Sequence, residues 1–171
     1  MPCFNQLRRF TPVWILLCAL ILPVAACAQE QKADLIVVRK SDHILELWSN
    51  GAMIAKYPIA LGFNPKGQKE HEGDGKTPEG IYTIIGRNQN SRYYKSLKID
   101  YPNSADMAAA LSHHARPGGD IMIHGLPNDR TAAQMDHPKH DWTNGCIALT
   151  DDQMENVWEH VDKGTSILLM P

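Results

Sequence analysis

The sequence predicts a mainly β domain with two or three short helices. Three observations carry that expectation. Short apolar, β-branched runs recur along the chain, an Asn-Gly dipeptide joins two of them, and helical periodicity is confined to brief stretches, clearest near the C-terminus. No internal repeat, low-complexity tract or second domain interrupts the pattern.

In chain order, "DLIVVRK" (34–40) reads as the first strand. Ile44, Leu45 and Leu47 begin a second, and Asn50-Gly51 before the next apolar run predicts a tight hairpin, because both residues tolerate the positive φ such a turn needs. "GFNPKGQKEHEGDGKTPEG" (62–80) is rich in Gly, Lys and acids and reads as a long exposed loop, of a length that points to a functional role. "IYTII" (81–85) and "SLKIDY" (96–101) are further strands. "SADMAAALSHH" (104–114) is a short helix stopped by "PGGD". "IMIHG" (121–125) is a buried-type strand ending in a histidine, and "DRTAAQMDH" holds one helical turn. Thr150 and Gln153 form a capping box ahead of Met154, Val157, Trp158 and Val161 at helical spacing, with Gly164 expected just past the helix end. "TSILLM" is the last strand.

The N-terminus carries an address. Arg8 and Arg9 precede an apolar run from Val13 to Leu22, followed by Ala25, Ala26 and Ala28. This reads as a secretory signal peptide over 1–28, its apolar run too short for a membrane span. A short lead (29–33) and one domain (34–171) then follow. "VAAC" also offers Cys27 as a lipid-bearing N-terminus, a tether to a membrane. Cleavage after Ala28 is favoured, because Val24 stands where a lipidation signal usually has Leu. Removing the signal leaves 15 Lys and Arg against 19 Asp and Glu, a net charge of −4. With that balance and no basic stripe, nucleic acid is not an expected partner.

Export changes the meaning of the cysteines. Cys3 and Cys18 leave with the signal and Cys27 is removed or lipidated, so Cys146 in "HDWTNGCIAL" remains as an unpaired thiol in an oxidising compartment. It is either a small buried hydrophobe or a reactive nucleophile. A nucleophile needs a base, a group to orient the base, and donors for the oxyanion. His124, at a strand end, is the candidate base. Gly125 leaves a carbonyl free to orient the imidazole, and the amides of Asn144, Gly145 and Cys146 are candidate oxyanion donors. The competing chemistry is a metal site drawn from His113, His114, His124, His137, His140, Asp141 and Cys146. Without CxxC or HExxH spacing it is the weaker reading, and neither metal nor cofactor is expected. "GDG" and "GG" lack the strand–helix context of a nucleotide loop.

His124-Gly125 followed by Thr143-Asn144-Gly145-Cys146-Ile147, with Thr77 to Tyr82 ("TPEGIY") upstream, resembles the YkuD-type L,D-transpeptidase catalytic domain over nearly all of the mature chain. The resemblance implies a compact mixed β-sheet sandwich of two sheets and a cysteine acyltransferase acting on peptidoglycan stem peptides. It also implies a place in the periplasm or cell envelope of a bacterium. Cys146 would attack the carbonyl between the L-centre of a diamino acid and a terminal D-alanine, with His124 as base and then acid. Transfer, hydrolysis of the same thioester (L,D-carboxypeptidase or wall-cleaving activity) and an inactive wall-binding module stay open as alternatives. Three features depart from the family pattern: Asn144 replaces the usual His, the spacer between His124 and Thr143 is 18 residues, and Ala148 stands where many members carry Arg or Asn. A substrate carboxylate then needs another partner, and Arg130 or Arg116 is the candidate. Trp142 could wall the acyl pocket, and the 62–80 loop, with Asp74 and Lys76, could lie over the cleft.

Overall fold

A computed structural model describes residues 31–171. The expected signal peptide and Cys27 therefore lie outside the described residues. Among those residues no helix is long and apolar enough to cross a membrane.

Strand β1 (Leu35–Arg39) pairs antiparallel with β2 (Ile44–Ser49), and β2 turns into β3 (Ala52–Pro58). The turn is the expected one: Asn50 and Gly51 have φ of 51° and 78°, the left-handed pair whose twist matches the flanking strands. On its other side β1 runs parallel to the last strand, β8 (Ser166–Met170). Strand β4 (Gly80–Ser91) is longer than the apolar run alone indicates. Gly80–Thr83 pair with β8, and from Ile84 onward the same strand pairs with β5 (Tyr94–Ile99). Its polar second half, "GRNQNS", gives no alternation signal and is held by its partner. Strand β5 then pairs with β6 (Met122–His124), and β6 runs parallel to the two-residue β7 (Ile147–Ala148).

The result is a mixed eight-stranded arrangement, β3-β2-β1-β8-β4-β5-β6-β7, whose two halves, β3-β2-β1-β8-β4 and β4-β5-β6-β7, share β4, in keeping with the expected mainly β mixed-sheet fold. Its two edges are sewn together just beyond β3. Ala60 exchanges both backbone hydrogen bonds with Ala148 (3.0 and 2.8 Å), the Thr143 amide donates to Leu61 (3.1 Å), and the Phe63 amide donates to Thr143 (2.9 Å). Both halves feed one core, including Ile36, Leu47, Ile84, Leu97, Ile123, Ile147 and Ile167. Each such side chain contributes about 1.5–3 kcal/mol of burial.

Three short helices decorate the sheet. Helix α1 (Ser104–Ser112) is capped by Asn103, and the single turn α2 (Ala132–Met135) by Thr131. Helix α3 (Asp151–His160) carries the expected capping box, Thr150 with Gln153, and buries Met154 and Val157. Its C-cap is Val161 in extended backbone, so Gly164 is not the residue that ends the helix. It serves the turn into β8, at φ 94° with its amide donating to Ile84. Ala33, assigned to the lead, is buried, and its amide donates to the His160 carbonyl at 2.9 Å.

Candidate active site

The parallel register of β6 and β7 aligns Ile123 with Ile147 and His124 with Ala148. Cys146 therefore enters β7 beside Met122, two residues from His124 on the face that β6 presents with period two. Both side chains line one cleft of about 220 Å³, together with Tyr93, Asp120, Trp142 and Asn144.

His124 is 4 % exposed, and its Nδ1 lies 2.7 Å from the Gly125 carbonyl. A carbonyl only accepts, so Nδ1 carries the proton and Nε2 keeps a free lone pair. Burial drives the His124 pKa down to about 4, against the raising effect of the Gly125 carbonyl and in the same direction as nearby His137. The imidazole is therefore neutral at neutral pH. Tyr93 packs on it at 4.6 Å between ring centroids and Trp142 meets it edge-on at 5.7 Å, which fixes the ring plane. Gly125 has no room for a side chain, because a Cβ there would lie 2.6 Å from Asp151 Oδ1.

Burial likewise pushes the Cys146 thiol up, and Asp120 adds to the rise, while the Met122 amide and Lys69 oppose it. The resting pair is neutral thiol and neutral imidazole, not a preformed ion pair. The thiol S–H donates to the Asp120 carbonyl at 3.5 Å.

The turn before the nucleophile is tied by Thr143. Its hydroxyl donates to the Cys146 carbonyl (2.8 Å) and accepts from the Gly145 amide (3.0 Å). Thr143 is thus a buried brace, and the Gly145 amide is engaged by it. The amides of Asn144 and Cys146 are left as the candidate oxyanion donors.

The 62–80 segment is not the fully exposed loop its composition predicts. Lys69 and Thr77 are buried, and Asp74 accepts from Lys69 Nζ (2.7 Å) and from the amides of Glu70, His71 and Lys76. That knot presses Gly75 and Lys76 against the nucleophile turn. A Cβ on Gly145 would sit 2.7 Å from the Lys76 carbonyl, and one on Gly62 would collide with the Gly75 carbonyl. The loop is a buttress for Cys146.

Other expectations are corrected. Arg130 is exposed, paired with Asp129 at 3.8 Å, and does not line the cleft; Arg116 is exposed as well. Ala148 is fully buried in the sheet closure, so it offers a substrate nothing. Trp142 does line the cleft, its indole N–H donating to His137 Nδ1 at 3.4 Å. The histidines of the metal alternative are scattered: His113, His114 and His140 are exposed, and among the described residues no three His, Cys, Asp or Glu side chains gather as ligands. Tyr93 and Asp120 are cleft residues that sequence reasoning missed. The Pro117-Gly118-Gly119 turn just before Asp120 was the only local signal near either of them.

Comparison with known proteins identifies the family and the fold. The family model described as the L,D-transpeptidase catalytic domain, YkuD, matches residues 33–169. The Escherichia coli protein YafK is 30 % identical over 126 residues, which cover 72 % of this chain and 43 % of YafK. The helical cell shape determining protein Pgp2 of Campylobacter jejuni superposes with a TM-score of 0.61 at 28 % identity, over 80 % of this chain and 47 % of that one. An L,D-transpeptidase from Mycobacterium smegmatis shares the fold at a TM-score of 0.54 and 15 % identity, over 81 % and 59 % of the two chains. The chain spans less than half the length of YafK and of Pgp2.

Proposed function

The chain belongs to the L,D-transpeptidase catalytic domain family, and on that premise we propose that it is an exported cysteine acyltransferase acting on peptidoglycan stem peptides in the cell envelope. The observation that carries this reading is the bond from His124 Nδ1–H to the Gly125 carbonyl, which leaves Nε2 as an acceptor in the cleft that holds the Cys146 thiol.

The steps follow from the protonation states. Cys146 Sγ attacks the carbonyl that joins the L-centre of the diamino acid to the terminal D-alanine, and its proton passes to His124 Nε2 as the bond forms. Because neither group is charged beforehand, proton transfer and attack occur together. The oxyanion develops toward the amides of Asn144 and Cys146. Collapse breaks the C–N bond, the departing amine takes the proton from His124, and a Cys146 thioester remains. An acceptor amine then attacks the thioester and gives its proton to His124, and the thiol returns. Water in place of the amine makes the same site a carboxypeptidase.

The test uses purified mature protein with disaccharide-tetrapeptide and a D-amino acid, wild type beside Cys146→Ala, with products read by mass spectrometry. Dimers or exchanged tetrapeptides from wild type alone are the expected result. Tripeptide alone assigns hydrolysis to the same nucleophile. No product from wild type on this substrate or on intact sacculi overturns the reading.

A further inference from the structure

One feature of the cleft is not used by the thiol–imidazole chemistry: an ion pair at its rim. Lys98 Nζ lies 2.6 Å from Asp120 Oδ1. In the β5–β6 register Lys98 stands opposite Met122 and Ser96 opposite His124, so Lys98 is on the sheet face that carries the catalytic histidine. Asp120 lines the cleft, and its own carbonyl accepts the Cys146 S–H. Both charges are open to solvent, with side chains 41 % and 74 % exposed. An exposed pair contributes little to stability, so stability does not explain its place beside the nucleophile. Asp120 also sits in left-handed backbone at φ 56°, a conformation that turns its carbonyl to the thiol while the carboxylate stays at the rim.

An anion and a cation held side by side are complementary to an amino-acid head, with its ammonium and carboxylate on one carbon. We propose that Asp120 and Lys98 bind the zwitterionic far end of the diamino acid whose L-centre carbonyl Cys146 attacks, the ammonium on Asp120 and the carboxylate on Lys98. This rests on the transpeptidase reading above. It supplies the carboxylate partner that neither Arg130 nor Ala148 provides. Burial is the main cause that holds the thiol protonated and the Asp120 charge adds to it, so a bound ammonium that offsets that charge eases ionisation of Cys146. A free amino acid used as acceptor has the same head, so the test must separate the two sources.

The full-length mature chain is assayed as wild type, Asp120→Asn and Lys98→Met. Asn keeps the tolerance for left-handed backbone and Met keeps the apolar stem of Lys. Three tetrapeptide stems serve as donors: one with a diamino acid bearing a free far-end amine and carboxylate, one with that carboxylate amidated, and one with lysine. Wild type is expected to favour the first stem about tenfold in KM. Lys98→Met should erase that preference ratio, and Asp120→Asn should raise KM about tenfold on all three, with kcat changing less than about threefold. Turnover by wild type with an unchanged preference ratio and unchanged KM in the variants overturns the role of the pair alone. An effect confined to the KM of a free D-amino acid in exchange overturns the donor assignment and moves the head to the acceptor. No turnover of any stem by wild type overturns the transpeptidase reading, and the pair's role falls with it.

Discussion

Asp74→Ala tests whether the 62–80 loop is a buttress. The Asp74 side chain is 5 % exposed and its partner Lys69 is 3 % exposed. Burial alone would raise the carboxyl, but Lys69 and the amides of Lys76, Glu70 and His71 overcome it and hold the group at about 2 instead of 3.8. That depression is worth about 2 kcal/mol at neutral pH. Truncation also strands the Lys69 ammonium, and removing one member of a buried pair costs about 3–5 kcal/mol in all. For a domain of this size about 3 kcal/mol lowers Tm by roughly 6–12 °C. The sign with pH follows from the depressed carboxyl: its stabilisation is complete above pH 3.8 and is lost as pH falls toward about 2. His124 gives a separate slope, since the unfolded chain binds its proton first between 6.5 and about 4, and that slope persists in the variant. Thermal and urea unfolding at pH 7, repeated from pH 6 to 2, read both quantities. A variant within 2 °C of wild type, with the same slope below pH 4, would refute the buttress.

Three further outcomes follow from the site itself. With His124 neutral down to about 4, kcat/KM should stay flat from about pH 5 through neutrality and fall only toward pH 4. Iodoacetamide should label Cys146 at pH 7 more slowly than a free cysteine, because burial keeps the thiol protonated. An acid limb at 6.5 or higher would contradict the neutral pair. Gly145→Ala places a Cβ at φ 130° and 2.7 Å from the Lys76 carbonyl, so it should cost about 1–3 kcal/mol in thermal unfolding and reduce kcat at least tenfold. Wild-type kinetics in that variant would show that the contact with the loop does not position the thiol.

Local chemistry made parts of this molecule legible. The Asn50-Gly51 hairpin and the Thr150–Gln153 capping box are short-range signals, and both stand where they were read. His124 and Cys146 were nameable because a lone thiol, read as exported, calls for a base if it is a nucleophile, and a histidine followed by glycine is suited to be one. What tertiary pairing decides was not legible. The polar half of β4 is a strand only because β5 holds it, and the two-residue β7 has no periodicity to read. A loop rich in Gly and charge looked solvated because composition does not reveal that Asp74 gathers three amides and a buried lysine. Tyr93, in the turn between β4 and β5, and Asp120, just ahead of β6, reach the cleft through the way the chain folds around it, whereas Arg130 lies outside its lining. The expected signal cleavage and the Cys27 alternative lie in residues 1–30, outside the described residues.

The central claim is that the acyl group passes through Cys146. The direct measurement is intact-protein mass spectrometry of wild type and Cys146→Ala, acid-quenched seconds after mixing with disaccharide-tetrapeptide, followed by peptide mapping. A thioester adduct of the disaccharide-tripeptidyl group on the peptide containing Cys146, absent from the variant together with all product, is the predicted result. Product formed by Cys146→Ala at the wild-type rate, with no adduct on either protein, would contradict it.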